Sequence, residues 1–334
     1  MPMHNPYQLL TSAELPEFFT HTLPAFWQQH AQCGELEGVG ALPLRYAALR
    51  QPVADKAILL VSGRIESYIK YQELAFELYR LGYSVYLCDH RGQGLSGRLL
   101  SDPHKGHVQH FADYVSDLAR FQQQVVAADG PQRLYLLAHS MGGTIALHYL
   151  RQHGSQIRAA ALSSPMLGIQ MGRWPAWLAK AVLTLLSHGA RVLRREPPYA
   201  PATGPYHAIP FNDNELSRDP SRYAEFRRLY AQHDAVQLGG PSVRWLQQAL
   251  IAMQQAYRHA HQLTTPLLLL SASDDQVVSN AHIAAFCARA AAAGVPCDPQ
   301  PLTIAGARHE LLNERDECRI PALTAILDFF ERNQ

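Results

Sequence analysis

Residues 134–146 read Leu-Tyr-Leu-Leu-Ala-His-Ser-Met-Gly-Gly-Thr-Ile-Ala, and no other stretch constrains the chain as much. The apolar run Leu134–Ala138 has the length and composition of a buried strand. It stops at His139-Ser140-Met141, two glycines follow, and a helical pattern runs from Thr144 to Leu150. Strand, sharp turn, Ser, small residues and helix together are the sequence form of a nucleophile elbow. In such a turn the Ser backbone is strained and its hydroxyl points out of the sheet. Small neighbours let the following helix pack close to the strand. The helix N-terminus then offers amide groups and a positive dipole end to a developing oxyanion. Ala138 stands where the usual elbow has Gly, and as the next smallest residue it leaves the turn feasible. The alternative is an ordinary strand-to-helix turn with an incidental Ser, and the rest of the chain must decide.

The surrounding pattern repeats the strand-to-helix unit. Apolar runs predict strands at Leu42–Leu49, Ala57–Ser62, Ser84–Cys88, Arg158–Leu162, Leu267–Leu270 and Pro299–Ile304. Periods of three and four predict helices at Tyr71–Leu81, Phe111–Val126, His282–Ala292 and Ile320–Arg332. Short apolar strands alternating with amphipathic helices imply an α/β protein with a mostly parallel central sheet covered on both faces. Residues 1–40, with Pro6, Pro16 and Pro24 among aromatics, predict an N-terminal helical wrap. The rhythm breaks at about Met166 and resumes at about Pro266. Residues 166–262 are rich in Trp, Pro, Arg and Tyr, which predicts a helical cap over the carboxyl edge of the sheet. The core is then 1–165 with 263–334.

A nucleophilic Ser needs a base, and the base needs an orienting acid. Two predicted strands run into loops carrying both. Leu267–Leu270 leads to Ser271-Ala272-Ser273-Asp274-Asp275-Gln276-Val277-Val278, and the last strand leads to Ala305-Gly306-Ala307-Arg308-His309-Glu310. The order Ser, acid, His is the one this architecture uses. Both loops leave the carboxyl edge of the sheet, where Ser140 also lies. His309 is one of 17 histidines, but its loop at the end of the last strand sets it apart. Asp275, before Gln-Val-Val, is the favoured acid, and Asp274 is the alternative or a cap. Oxyanion donors are expected at the amide of Met141 and, through the turn at Gly63, at the amide of Arg64.

Other motifs exclude more than they add. Asp89-His90-Arg91-Gly92-Gln93-Gly94 does not fit a phosphate-binding spacing and is read as a turn supporting the elbow. His104, His107 and His110 stand three apart, but Pro103, Gly106 and the lack of an acid from His104 up to Asp113 argue against a metal. A net charge of +1 gives no reason to expect nucleic acid. Five scattered cysteines form no Cys-x-x-Cys pair, which suggests a reducing compartment and no zinc site. No signal peptide and no run of about 18 apolar residues is visible. The apolar stretch Arg173–Leu186, followed by Arg191, Arg194 and Arg195, suits a lid, an interfacial anchor to anionic lipid, or a cap helix packed on the core.

Ala-His-Ser-Met-Gly-Gly, Asp-His-Arg-Gly-Gln-Gly-Leu-Ser, Asp-Asp-Gln-Val-Val and Gly-Ala-Arg-His-Glu together resemble α/β-hydrolases of the monoacylglycerol lipase and lysophospholipase group. Lys105-Gly106-His107-Val108, Asn214-Glu215-Leu216-Ser217 and Gly239-Gly240-Pro241-Ser242-Val243-Arg244-Trp245 are similar to bacterial lysophospholipases in particular. The likeness runs from about Leu42 to the end. It implies Ser140 as nucleophile, His309 as base, Asp275 as acid, Met141 and Arg64 as oxyanion donors, and no metal or cofactor. Ser62 departs from the group, whose lipases usually have His before that Gly. The expected activity is release of a fatty acid from lysophospholipid esters. Monoacylglycerol lipase, other carboxylesterase, aminopeptidase, transacylase and non-catalytic binding module are the rivals. The expected partner is a lipid or small ester, and the expected location is the cytoplasm, with peripheral membrane contact if the cap helix anchors there.

Overall fold

A computed structural model describes residues 4–53, 55–170 and 176–334. Its centre is a sheet of eight strands: β1 (Ala31–Glu37), β2 (Pro43–Leu49), β3 (Lys56–Val61), β4 (Ser84–Cys88), β5 (Arg133–His139), β6 (Ala160–Ser163), β7 (Leu267–Ala272) and β8 (Leu302–Ile304). Their spatial order is β1-β2-β4-β3-β5-β6-β7-β8. From β4 to β8 every pairing is parallel, while β1 and β2 join antiparallel at one edge.

The continuous apolar runs follow from burial on both faces. Ala57, Leu59 and Val61 of β3 and Leu134, Leu136 and Ala138 of β5 enter one hydrophobic cluster. The alternate residues Ile58, Leu60, Tyr135 and Leu137 enter the other. The helices α4 (Ala112–Phe121), α5 (Met141–His153) and α9 (Asn280–Ala292) cover the first face. The second is covered by α3 (Gln72–Arg80) and α10 (Asp316–Arg332). Near the N-terminus, α1 (Leu15–Glu17) and α2 (Leu23–His30) add a small cluster over α3, with Phe26 4.8 Å from Phe76 in an edge-on contact.

The segment between β6 and β7 contributes no strand to the sheet among the described residues. It forms α6 (Ala176–Val192), α7 (Pro220–Gln232) and α8 (Val243–Arg258). It is not detached from the core. Tyr230 and Phe226 of α7 belong to the second cluster, and Trp245, Ala249 and Met253 of α8 to the first. Arg222 of α7 is buried against Glu73 of α3 at 2.8 Å and Asp316 of α10 at 3.0 Å. Residues 171–175, including Arg173, Trp174 and Pro175 of the expected lid helix, lie outside the described residues.

Several boundaries differ from expectation, each for a local reason. Residues 31–37 form an edge strand instead of part of a helical wrap; mostly exposed, it has no apolar run to announce it. The last strand covers only Leu302–Ile304, since Pro299 and Pro301 have no N–H to give the ladder. The helix from Ala112 widens into a π turn over Gln122–Val126. Helix α10 starts at Asp316 and contains Pro321 in its second turn, where one backbone bond is lost.

Candidate active site

Strand β5 ends at His139, and the chain turns at Ser140 with φ 51° and ψ −118°. An L-residue held there is strained, and such strain collects at functional sites. Two close packings force the turn. A Cβ on Gly142 would overlap the carbonyl oxygens of Val61 and Ser62, and one on Gly143 would lie 2.6 Å from Pro165 Cβ. Ala138 needs no such licence. It is a regular strand residue, paired with Val61 on one side and Leu162 on the other, so its methyl fits the pleat.

The loops after β7 and β8 meet at this turn. His309 Nε2 lies 2.9 Å from Ser140 Oγ, and His309 Nδ1 lies 2.7 Å from Asp275 Oδ2. The other oxygen of Asp275 accepts the amides of Val277 at 2.8 Å and Val278 at 2.9 Å. Burial works to raise the Asp275 carboxyl, but His309 and these two amides outweigh it and hold it below the usual aspartate range. All three side chains are buried. Asp274, the alternative acid, points outward into an ion pair with Arg218 at 2.8 Å.

The loop after β3 approaches from the other side. A Cβ on Gly63 would lie 3.2 Å from Ser140 Cβ, which measures how near that backbone comes. Ile65 sits at φ 64°, an outlier for a β-branched residue, and its carbonyl accepts Tyr230 Oη at 2.7 Å. The Gly63 amide donates to Glu66, whereas the amides of Arg64 and Met141 have no acceptor among the described residues. Met141 follows Ser140 directly, and Arg64 follows Gly63, whose backbone packs against Ser140.

The Asp89 loop supports this β3 loop and not the elbow itself. Gln93 Nε2 donates to Gly63 O at 2.7 Å, and His90 Nε2 meets Ser62 O at 3.0 Å. Asp89 accepts Ser67 Oγ and the Tyr68 amide, each at 2.6 Å. Ser62 Oγ, where the resemblance would place His, is buried without a partner among the described residues.

A buried ionic cluster beneath the site escaped sequence reasoning. Lys70 Nζ lies 2.8 Å from Glu66 Oε1 and 2.5 Å from Glu310 Oε1, and Tyr71 Oη donates to Glu66 at 2.6 Å. Burial opposes ionisation of Glu66, but Lys70 and His139 outweigh it and hold the carboxyl near 2. Burial keeps Glu310 raised despite Lys70. Burial likewise pushes His139 down to about 4, so it is neutral and its Nδ1–H donates to Ser163 O at 3.1 Å. The only sequence signal was Glu66 four residues before Lys70 and Glu310 beside His309.

The family-resembling loops prove to be clamps. Glu310 N donates to Leu216 O at 2.9 Å, Ser217 Oγ to Asn313 O at 2.7 Å, and Arg308 Nη1 to Asn214 O at 2.6 Å. Gly106 N donates to Gly240 O at 3.0 Å and Ser242 N to Gly106 O at 2.7 Å. His104, His107 and His110 do not converge. His107 Nδ1 lies 2.9 Å from Ser242 Oγ, and among the described residues no cluster of His, Cys, Asp and Glu could hold a metal.

Known proteins resemble this chain in sequence and in fold. Residues 52–316 match the family model described as serine aminopeptidase, S33. Lysophospholipase L2 of Escherichia coli strain K12 is 42% identical over 312 residues, covering 93% of this chain and 90% of that protein. Probable lysophospholipase L2 of Haemophilus influenzae is 34% identical, covering 92% and 94%. A soluble variant of Saccharomyces cerevisiae monoglyceride lipase, solved with a substrate analogue, superposes with a TM-score of 0.68 at 18% identity over 91% of this chain and 96% of its own. This last likeness concerns the fold alone. Fold, family model and relatives together make the chain a member of the serine aminopeptidase S33 family of α/β-hydrolases.

Proposed function

We propose that the chain is a serine hydrolase that releases fatty acid from lysophospholipids. The observation that carries this reading is the buried, hydrogen-bonded relay from Asp275 through His309 to Ser140. His309 Nε2 takes the Ser140 proton as Oγ attacks the ester carbonyl carbon. The Met141 and Arg64 amides stabilise the tetrahedral oxyanion. His309 then returns the proton to the departing glycerol oxygen, leaving an acyl ester on Ser140. Water, deprotonated by His309, attacks that ester, and the fatty acid leaves as Ser140 recovers its proton. Asp275 keeps Nδ1 protonated and favours the imidazolium. Every step uses groups of this chain.

The lysophospholipid choice rests on the relatives named lysophospholipase L2 and on the cap-region loops that resemble them. Residues 166–262 are read as the cap, with 1–165 and 263–334 as the core. The family model's name raises aminopeptidase as the rival, which would need carboxylates in the cap to receive a free amine. Residues 166–210 hold one acid, Glu196, and it is exposed and accepts from Ser101 N at 2.8 Å and Oγ at 3.0 Å. The deciding experiment is product analysis on lysophosphatidyl lipids, monoacylglycerols and aminoacyl amides, with Ser140→Ala as the blank. Fatty acid from the lysophospholipids, lost in Ser140→Ala, is expected. Cleavage of the amides alone would replace the reading with a peptidase.

A further inference from the structure

The ester mechanism uses the Arg64 amide and leaves its side chain unused. Its guanidinium leaves the oxyanion loop and enters a cradle made by two other loops. Nη2 donates to Gly239 O at 2.5 Å, and the guanidinium carbon lies 5.2 Å from the Trp245 ring centroid. A Cβ on Gly106 would come 2.8 Å from Nη2, so the backbone there is shaped around the cation. The two walls are zipped together by Gly106 N to Gly240 O and Gly239 N to His104 O, at 3.0 and 2.7 Å.

What the cradle lacks is a counter-charge. Among the described residues no carboxylate comes within 4.0 Å of this guanidinium, in contrast to Arg222 and Arg319, which are buried on glutamates. Arg64 Nε is buried with no partner among the described residues. Its strongest charged or titratable neighbour is Tyr114, and burial lowers the guanidinium to about 10. A half-buried cation with a buried, idle Nε donor is costly unless something anionic completes it.

We infer that the Arg64 guanidinium is the subsite for the anionic phosphodiester of a lysophospholipid whose ester sits at Ser140. This rests on the hydrolase reading above. The reach fits. In a lysophospholipid, roughly six bonds separate the ester carbonyl carbon from phosphorus, much as roughly five separate the Arg64 Cα from Cζ. The Arg64 amide at the ester oxygen and its side chain at the phosphate would thus bind both ends of one glycerol unit. A guanidinium with free N–H groups suits a phosphodiester because it can present parallel donors to its oxygens. A neutral monoacylglycerol would leave the cation unpaired, which gives the site a preference.

The test compares kcat/KM on lysophosphatidylglycerol and on monoacylglycerol of the same acyl chain, for wild type, Arg64→Lys and Arg64→Met. The expected result is a fall in the ratio of the two values by roughly tenfold or more in Arg64→Met, carried mainly by KM, with Arg64→Lys keeping most of it. An unchanged ratio, with both esters declining together, would overturn the inference and leave the hydrolase reading intact. Wild-type protein that cleaves neither ester overturns both. A measurement on the wild type does not depend on the variants folding. Glycerol 3-phosphate is expected to inhibit at concentrations roughly tenfold below those of glycerol, as a charge-assisted contact implies. Equal inhibition by the two would also overturn the assignment.

Discussion

Lys70 Nζ sits 2.8 Å from Glu66 Oε1, with both side chains buried beneath the catalytic turn. The same ammonium reaches Glu310, next to His309, so one cation ties the β3 loop to the loop of the base. Lys70→Met would leave two buried carboxylates without a counter-charge, and breaking such a pair costs about 3–5 kcal/mol. The loss should depend on pH in a defined direction. Burial already raises the Glu310 carboxyl, and removing Lys70 raises it further. A carboxyl raised by folding costs nothing below the unfolded glutamate value of about 4.3, and destabilises as pH rises through the folded value. Urea unfolding of Lys70→Met is therefore expected to approach wild type near pH 4 and to fall away near pH 7. A deficit equal at both would mean that only packing was lost.

Asp275 carries the opposite sign. Its carboxyl is held below the ordinary aspartate range, so its stabilising contribution is present above about pH 4 and fades as acid protonates it. Asp275→Asn is expected to lower kcat by about 10³–10⁴, because the amide favours the wrong His309 tautomer. Its stability deficit should shrink below about pH 4. Asp274→Asn removes only exposed contacts to Arg218 and Ser273 and should leave kcat within about twofold. Stopped-flow ester hydrolysis of the two variants side by side checks this, and a collapse in Asp274→Asn alone would reverse the assignment.

The elbow makes a paired prediction. Gly142→Ala would drive a methyl into the carbonyl oxygens of Val61 and Ser62, which are backbone and cannot swing aside. It should cost about 1–3 kcal/mol and displace the β3 loop, with kcat falling more than stability alone explains. Ala138→Gly restores the residue usual in such elbows, yet Ala138 is buried in β5 at ordinary strand geometry. It should lose about 0.5–1 kcal/mol and gain no activity. Thermal unfolding and kcat on both variants test the pair, and an Ala138→Gly protein that gained turnover would show that the methyl does constrain the turn.

These positions also show what was legible in the sequence. Leu134–Ala138, the glycines after Ser140 and the loops at Asp275 and His309 announce themselves because each lies on one local rule: an apolar run, a tight turn, a strand end. Strand β1 follows no such rule, since half its residues face solvent at a sheet edge. The Glu66–Lys70–Glu310 cluster is illegible for a different reason. Charged residues read as surface in sequence, and only the meeting of α3's approach with the β8 loop buries them. Likewise Gly239 and Gly106 could be matched to a family, but their closing on Arg64 depends on contacts over long sequence separations.

The end of α6 bears on where the substrate is met. No helix among the described residues is long and apolar enough to cross a membrane. Yet Leu185, Val192 and Leu193 are exposed at 73%, 65% and 67%, and the exposed Arg194 and Arg195 follow directly. Apolar side chains beside arginines match an interfacial anchor for anionic lipid, the surface from which a lysophospholipid would be drawn. Each arginine near such a surface adds about 1 kcal/mol, and the attraction is screened by salt. Flotation with phosphatidylglycerol vesicles is expected to recover the protein at low salt and less of it at high salt. Leu185→Asp with Leu193→Asp should abolish recovery, and Arg194→Ala with Arg195→Ala should lower it several-fold, roughly the exponential of two such terms reduced by screening. Neither pair touches the Ser140 relay, so turnover of a water-soluble short-chain ester reports whether the fold survives. Equal flotation of all variants would remove α6 from the membrane and leave it as packing for α8.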